Sequence, residues 1–590
     1  MNSPGTPGAV TSTATSTAAR TTTEPATVGE AYLRLLADRG IENLFANAGT
    51  DFAPLIEGYV RSLEAGVPVP RPVTVPHENV AVCMAMGHWM VSGQAQAVMV
   101  HVNVGTANTI CGLLNAAQAN VPMLLTAGRT PITETGMEGG RNIHIHWTQE
   151  MFDQAGMVRE AVKWDYELRN GTQLETVVDR ALNVAHAQPQ GPVYLTLPRE
   201  VLASPMGAFS PSPAERHAHP VAPHPDPESV ERVAAMIAKA ERPMIITNSA
   251  GFNQGAVAAL GALAERMAIP VVQFVPRCVS LPASHPMHAG YDPAPLLASA
   301  DLVIVIDCAV PWIPAKVRPR ADAKVVHFGV DPLHQRIPIR GFECDLAITG
   351  SAAASLRALD AAASAHEACA ARSIAGRRER IAAARIEREM SLAQEVASAR
   401  NQSVIHPTWL THCVDQAAGR DAILIREAPQ FAPQHYTSER EGSYFSLGAA
   451  GGLGWGMGAA LGAKLAAPDR LVVAVEGDGS YMFCAPVAAH YVALEQDAPF
   501  LTVIVDNQRW NEVGSATRHL YPEGRAARNR DLEPLTYFDK RLRLEKVVEC
   551  AGGHGERVTD PSELPAALAR AIRVVKDERR QAVLDVVCSS

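Results

Sequence analysis

Two polar segments, each directly after an apolar run, carry residue types that bind metals and phosphates. An apolar run at 471–475 leads into Gly477, Asp478, Gly479 and Ser480, and a second run at 500–506 leads into Asn507. Neighbouring parallel strands end at one edge of a sheet, so Asp478 and Asn507 are expected close together. Carboxylate, amide, carbonyl and phosphate oxygens are ligands that Mg²⁺ accepts. Gly-Asp-Gly alone is also typical of an ordinary turn, but the two segments together predict a Mg²⁺-bound phosphate at a helix N-terminus.

A block upstream of these segments extends the pattern and indicates a family. Gly442–Phe445 and then Ala449–Gly454 precede the Gly-Asp-Gly motif. Together with that motif and the later Asn507, they resemble the thiamine diphosphate enzyme superfamily, and within it most closely the benzoylformate decarboxylases. The resemblance implies that thiamine diphosphate and Mg²⁺ are the cofactors.

The resemblance also implies a role for each residue of these motifs. Asp478 and Asn507 are implied as Mg²⁺ ligands through their side chains, and Arg509 through its backbone oxygen. Leu453 is implied as the apolar support under the bent cofactor, although an ordinary core leucine has the same appearance in a sequence. The other implied cofactor contacts are Gly452, Gly477, Gly479 and Ser480.

Glu78 is the candidate for activating the cofactor. It follows a short β-type run and begins an apolar helix in the segment VTVPHENVAVCMAMG, where a charge in the first turn is also common for structural reasons. Thiamine chemistry needs a carboxylate that protonates N1′ of the aminopyrimidine, so that the resulting 4′-imino group removes the proton from C2 of the thiazolium. The resemblance implies that Glu78 binds the cofactor and has this role.

Three further residues match substrate-handling positions of the benzoylformate decarboxylases. His101 stands four residues before Gly105, His285 follows Pro-Arg-Cys in PRCVSLPASHP, and Thr50 occupies a position that usually carries Ser. Imidazoles titrate near neutral pH and suit proton transfer. The resemblance therefore implies catalytic roles for His101 and His285 and a contact between Thr50 and the substrate carboxylate. A histidine in a core, or before proline in a loop, is also often structural.

The chain departs from the benzoylformate decarboxylase pattern in one region. Between Gly128 and Gln149 it has an apparent insertion that carries His144 and His146. The sequence Thr-Gln-Glu at 148–150 looks more like that of acetolactate synthases. The shape of the substrate pocket, and with it the substrate, therefore stays open.

The spacing of apolar runs predicts the fold that positions these residues. From residue 28 onward, short β-type runs alternate with Ala-rich stretches of helical length. This alternation is typical of parallel sheets covered by helices on both faces, and it predicts an α/β protein with three doubly wound parallel-sheet domains. The candidate buried strands are Ala97–Val102, Met123–Thr126, Met244–Thr247, Val271–Phe274, Leu302–Asp307, Leu471–Val475 and Phe500–Asp506.

Composition and the resemblance together give the domain boundaries. The Pro- and His-rich stretch 210–227 is typical of a linker, and the Arg-rich run 372–388 is interpreted as a solvated helix between two domains. No GxGxxG stands at 248–251, so no flavin signature is found, and the resemblance leaves FAD binding open. We expect a disordered tail (1–27), a pyrimidine-binding domain (28–205), a linker (206–227), a central domain (228–365), a linker helix region (366–405) and a diphosphate-binding domain (406–590).

Composition and charge disfavour several other function classes. The net charge of −9 argues against a nucleic-acid partner, and the lack of a long apolar run predicts no membrane span. Ten cysteines without a CxxC pair favour reduced thiols and a cytoplasmic setting.

The expected reaction is the decarboxylation of a 2-oxo acid to an aldehyde, through a C2 ylide and an enamine as the resemblance implies. An acetolactate synthase-like carboligase, in which the enamine attacks a second carbonyl, stays open. Intact Glu78, Asp478 and Asn507 argue against a catalytically silent regulatory subunit. The family implies a homo-oligomer, a dimer or a tetramer, with active sites between the pyrimidine domain of one subunit and the diphosphate domain of another.

Overall fold

The chain forms three parallel β-sheets, each flanked by helices. The computed structural model describes residues 24–447, 450–529 and 532–589. Residues 1–23 of the tail expected at 1–27 therefore lie outside the described residues. Ala449 of the motif block also lies outside them. Among the described residues, no helix is both long enough and apolar enough to cross a membrane.

The first sheet has six parallel strands. Its elements are α1 (Val28–Asp38), β1 (Asn43–Ala46), α2 (Ala53–Glu64), β2 (Arg71–Thr74), α3 (Glu78–Ser92), β3 (Ala97–Val100), α4 (Val102–Gln118), β4 (Met123–Arg129), α5 (Ile145–Thr148), β5 (Asp165–Glu167), α6 (Leu174–His186), β6 (Pro192–Pro198) and α7 (Arg199–Ala203). The strand order is β2-β1-β3-β4-β6-β5. The strand that follows β1, β2, lies on one side of it, and β3 lies on the other side. A crevice is therefore expected between the carboxyl ends of β1 and β3.

The second sheet has five parallel strands. Its elements are α8 (Pro227–Lys239), β7 (Pro243–Thr247), α9 (Ala256–Met267), β8 (Val271–Gln273), α10 (Ala294–Leu297), β9 (Leu302–Ile306), β10 (Lys324–Gly329), β11 (Leu346–Thr349) and α11 (Ala352–Ser364). The strand order is β11-β10-β9-β7-β8.

A long helix, α12 (Glu367–Arg400), leads to the third sheet. The remaining elements are α13 (Pro407–Ala418), β12 (Ile423–Arg426), β13 (Tyr444–Ser446), α14 (Gly456–Ala466), β14 (Val472–Gly477), α15 (Asp478–Phe483), α16 (Pro486–Glu495), β15 (Leu501–Asp506), α17 (Asn511–Leu520), α18 (Arg525–Arg528), β16 (His554–Val558), α19 (Leu564–Lys576) and β17 (Ala582–Val587). The strand order β13-β12-β14-β15-β17-β16 repeats that of the first sheet.

The predicted α/β class with three doubly wound parallel sheets is confirmed. Each of the candidate buried strands is present, as β3, β4, β7, β8, β9, β14 and β15. Their ends differ slightly from the expectation: β3 ends at Val100 rather than Val102, because Val102 begins α4. The domain boundaries themselves stay predictions.

The sequence interpretation of the Arg-rich run as a solvated helix is only partly correct. Arg377 of α12 is only 2% exposed, and its guanidinium donates hydrogen bonds to the carbonyl oxygens of Ile237 and Ala240 at the end of α8. A cation that binds the carbonyl groups at a helix C-terminus is favourable there. This arginine therefore attaches α12 to the second domain.

A close crossing of α3 and α14 joins the first and third domains. An added Cβ at Gly87 would lie 2.0 Å from the carbonyl oxygen of Ala459, and one at Gly462 would lie 1.9 Å from that of Met84. Only glycine allows the two backbones to approach this closely. The crossing places the N-termini of both helices together, since Asn79 in α3 donates to the carbonyl oxygen of Gly454 before α14 (3.4 Å).

Gly462→Ala should destabilise the protein, because the new Cβ meets a backbone atom that cannot rotate away. Overpacking of this kind lowers the free energy of unfolding by about 1–3 kcal/mol, which calorimetric melting will show as a lower Tm. Gly376→Ala in α12 is the matched control: its Cβ meets only the end of the Arg380 side chain at 3.6 Å. That control should gain about 0.5–1 kcal/mol from helix propensity. Equal Tm values for the two variants would contradict the close crossing.

Candidate active site

The crevice at the first sheet brings together Thr50, Asp51 and His101. Thr50 and Asp51 follow β1, and His101 stands between β3 and α4. Because β1 and β3 are neighbouring strands, the segments that follow them meet at the sheet edge. The residues lining this narrow crevice include Thr50, Asp51, His101, Arg129, His146 and Arg199. The first sheet thus assembles two of the sequence candidates, Thr50 and His101, in one place.

A buried carboxylate holds the imidazole of His101. Nδ1 of His101 lies 2.5 Å from Oδ1 of Asp51, whose side chain is 3% exposed. The hydrogen bond to Asp51 raises the pKa of His101 above its ordinary value, although burial acts in the opposite direction. Two glycines leave room for the pair: a Cβ at Gly49 would lie 2.1 Å from Nδ1, and one at Gly128 would lie 1.8 Å from Oδ2 of Asp51. The crevice therefore holds an oriented imidazole that favours its protonated form.

Glu78 is the first residue of α3 and is 9% exposed. His77 caps the helix by accepting the backbone N–H of Asn79 at Nδ1 (3.2 Å), so the first turn is fixed. The side-chain amide of Asn108 donates to Oε2 of Glu78 at 3.1 Å. Gly105 lies against the other oxygen, since an added Cβ would be 3.4 Å from Oε1. A single carboxylate is thereby held in place beside α4.

The segment before α14 lies on the first domain of the same chain. The side-chain amide of Asn115 donates to the carbonyl oxygen of Gly452 (2.7 Å) and accepts the N–H of Gly452 (3.1 Å). Sγ of Cys111 donates to the carbonyl oxygen of Leu453 at 3.7 Å. Gly452 and Leu453 are thus fixed against α4, while Glu78 lies at the start of the adjacent helix α3.

Two buried glutamates beneath this segment were missed by the sequence interpretation. Glu427 follows β12 and accepts the backbone N–H groups of Gly454 (2.7 Å) and Gly456 (2.6 Å). Burial raises the pKa of Glu427 to about 7, and burial together with Glu427 raises the pKa of Glu476 well above its ordinary value. The pair therefore retains a proton at neutral pH and fixes the backbone at 454–456. The only sequence signal was a carboxylate at the end of each strand.

Asp478 and Asn507 lie at the carboxyl ends of the neighbouring strands β14 and β15. Oδ1 of Asp478 accepts the N–H of Gly479 (2.7 Å), whereas Oδ2 is buried without a hydrogen-bond partner among the described residues. Burial raises the pKa of Asp478 to about 7, and the carboxylate of Asp506 adds to that rise. A buried oxygen without a partner beside a second carboxylate fits a cation, so these residues suit the predicted Mg²⁺.

The backbone around these ligands is tightly held. Oδ1 of Asn507 accepts the N–H of Arg509 at 3.0 Å, and the Arg509 guanidinium lies 3.9 Å from the ring centre of Tyr537. An added Cβ at Gly479 would lie 2.2 Å from the indole of Trp510. The Gly-Asp-Gly segment therefore needs glycine at 479 for packing. Ser480, 6% exposed, lies in the first turn of α15.

His285 lies apart from the other candidates in a single chain. It belongs to the second domain, where its Nε2 is 4.0 Å from a carboxylate oxygen of Glu265 and 3.3 Å from the position of a Cβ on Gly261. Burial lowers the pKa of His285 below its ordinary value. It does not line the crevice that contains His101.

Comparisons with known proteins agree with this architecture. The thiamine pyrophosphate enzyme N-terminal TPP binding domain matches residues 26–157, the central domain matches 230–359, and the C-terminal TPP binding domain matches 428–586. Benzoylformate decarboxylase from Pseudomonas aeruginosa is 26% identical, covering 82% of this chain and 86% of that protein. The acetolactate synthase large subunit from Mycobacterium tuberculosis is 26% identical, covering 92% of this chain and 93% of that protein.

The fold is also found in solved structures. The thiamine diphosphate-dependent 4-hydroxybenzoylformate decarboxylase from Rhodococcus jostii RHA1 superposes with a TM-score of 0.73 at 21% identity, covering 96% of this chain and 99% of that chain. The three matched domains lie on the three sheets described above, in the same order. The family resemblance is thereby confirmed: the chain belongs to the thiamine pyrophosphate enzyme family, in the group that includes decarboxylases and acetolactate synthases.

Proposed function

We propose that this chain catalyses the non-oxidative decarboxylation of a 2-oxo acid to an aldehyde, with thiamine diphosphate and Mg²⁺ as cofactors. The observation that carries the proposal is the His101–Asp51 pair in the crevice beside Thr50. When CO₂ leaves, a proton must take its place on the former carbonyl carbon, and a protonated imidazole is suited to deliver it. In a carboligase, a second carbonyl compound takes that place instead.

The residues divide the remaining work. Bound thiamine diphosphate supplies an electron sink for the pair left behind by CO₂. Glu78 holds a proton at the aminopyrimidine, and Leu453 supports the cofactor from below. Asp478 and Asn507, with the backbone oxygen of Arg509, hold the Mg²⁺ that binds the diphosphate. Thr50 is proposed to contact the substrate carboxylate.

An acetolactate synthase-like carboligase is the second candidate. The resemblance to an acetolactate synthase covers 92% of this chain, against 82% for benzoylformate decarboxylase, at equal identity. In either case we propose a homo-oligomer, most simply a dimer of dimers, working in the cytoplasm. His285 is proposed to act at the cofactor across such a subunit interface, since within one chain it lies apart from His101.

Product analysis distinguishes the two reactions. The purified protein is incubated with thiamine diphosphate, Mg²⁺ and either pyruvate, benzoylformate or a branched-chain 2-oxo acid, and the products are identified by mass spectrometry. Aldehyde and CO₂ in equal amounts are expected from at least one substrate. Acetolactate or another 2-hydroxy ketone as the main product would contradict the decarboxylase proposal and establish the carboligase.

Glu78→Gln should bind thiamine diphosphate but lose turnover by about 100-fold or more, because general acid–base catalysis by one group contributes this much. The amide still accepts the hydrogen bond of Asn108 but cannot exchange a proton. Turnover is followed as CO₂ release and cofactor binding by calorimetric titration. Glu64→Gln, an exposed residue of α2, is the matched control and should behave as wild type. Near-normal turnover in Glu78→Gln would remove this residue from its proposed role.

Asp478→Ala should abolish Mg²⁺-dependent retention of thiamine diphosphate, since it removes the carboxylate oxygen that has no hydrogen-bond partner among the described residues. Retention is measured as cofactor remaining after dialysis with and without Mg²⁺. The exposed Asp469, in the turn between α14 and β14, gives the control Asp469→Ala, which should retain the cofactor as wild type does. If Asp478→Ala retained it equally well, the metal assignment would be wrong.

A further inference from the structure

The short helix α5 exposes its apolar side chains and buries a histidine. Ile145 and Trp147 are 40% and 47% exposed, whereas His146 between them is 2% exposed. The usual pattern buries the apolar residues and leaves imidazole at the surface. The insertion therefore turns His146 inward, toward the crevice that it lines together with Thr50, Asp51 and His101.

The backbone of the insertion fixes the tautomer of His146. Nδ1 accepts the N–H of Asn142 at 3.3 Å, so in the neutral ring the proton is on Nε2. Arg199 fixes the same loop: its guanidinium donates to the carbonyl oxygens of Gly139 and Gly140, each at 2.7 Å. The imidazole is thus oriented by backbone contacts at one nitrogen, which leaves Nε2–H as the donor for a bound molecule.

The charges around the crevice separate its two imidazoles. Burial lowers the pKa of His146, and the cations Arg199 and Arg141 lower it further, as does His101, while Glu200 has the opposite effect. The pKa of His101 is raised by its hydrogen bond to Asp51. Two titratable groups with opposite shifts in one site are typical of an acid–base division of roles. The crevice therefore favours protonation of His101 over protonation of His146.

We propose that His146 is a second substrate-facing imidazole, whose Nε2–H donates a hydrogen bond to the carbonyl oxygen of the bound 2-oxo acid. This inference rests on the proposed function. His101 delivers the one proton that is consumed, replacing CO₂ on carbon, and takes another from water. His146 keeps its proton and stabilises negative charge as it develops on oxygen. The first domain thereby supplies two imidazoles, those of His101 and His146, to the crevice, and this arrangement does not depend on the role of His285.

Replacement of His146 by asparagine separates this role from a structural one. The asparagine oxygen takes the place of Nδ1 and still accepts the N–H of Asn142, but no donor remains at the position of Nε2. Loss of one such donor lowers kcat by about 100-fold, with a smaller change in KM. His144→Asn is the matched control, because His144 is exposed on the same insertion; it should match wild type. Equal kcat values for wild type and His146→Asn would overturn the proposal.

A second measurement does not depend on turnover. The Glu78→Gln variant is labelled with ¹³C at its histidines and loaded with the cofactor, and the signal of His146 is assigned as the one that is absent from the His146→Asn form. Addition of benzoylformate should shift this signal. His101→Gln should raise the pKa of His146, because a neighbouring positive charge is removed. If wild type turns over no 2-oxo acid, the proposed function fails, and an unshifted His146 resonance in the loaded wild-type protein then overturns this inference separately.

Discussion

The close crossing of α3 and α14 is the constraint on which the rest of the candidate site depends. Helices whose backbones approach this closely cannot slide or rotate independently, because Gly87, Gly458 and Gly462 leave no space for a Cβ at the contact. The N-termini of both helices lie near this crossing, where Asn79 donates to the carbonyl oxygen of Gly454. The first residue of α3 is Glu78, and the residues just before α14 are Gly452–Gly454. Within one chain, this packing contact therefore fixes Glu78 relative to the segment 452–454, without any loop having to be rigid by itself.

The first and third sheets have the same strand order but carry different chemistry at corresponding positions. Strands β3 and β14 occupy equivalent places; His101 follows β3 and Asp478 follows β14. Strands β1 and β12 are also equivalent; the turn with Asp51 follows β1 and Glu427 follows β12. In the first sheet the two positions form an imidazole–carboxylate pair that suits proton transfer. In the third, Asp478 has an oxygen without a hydrogen-bond partner among the described residues, and Glu427 accepts backbone N–H groups. A repeated fold supplies equivalent places, and the side chain at each place decides what it does.

Sequence reasoning predicted the fold, and it placed Asp478 and Asn507 at the ends of neighbouring strands, because both depend on local pattern. Apolar runs separated by helical stretches predict parallel strands, and Gly477–Ser480 and Asn507 each stand directly after such a strand. Asp51, Glu427 and His146 were not assigned, because their roles depend on which loops meet in space. Nothing in the run from Gly128 to Gln149 shows that His146 turns inward. Likewise, the sequence gives no reason to separate His285 from His101 within one chain, or to bury Arg377 against α8.

The third sheet has several buried carboxylates at the carboxyl ends of its strands. Among the described residues, the buried Oδ2 of Asp478 has no hydrogen-bond partner. Asp506 lies beside it and is paired with Arg541 (Nε to Oδ2, 3.2 Å). Glu427 and Glu476 form a second pair of buried carboxylates in this domain. Burying carboxylates is unfavourable for their charged form, and burial raises the pKa of Asp478, Glu427 and Glu476. Asp506 adds to the rise at Asp478, and Glu427 adds to the rise at Glu476. A ligand that binds the folded chain and neutralises this edge stabilises the fold by mass action. Binding of the proposed metal and diphosphate at this edge would therefore also stabilise the third domain.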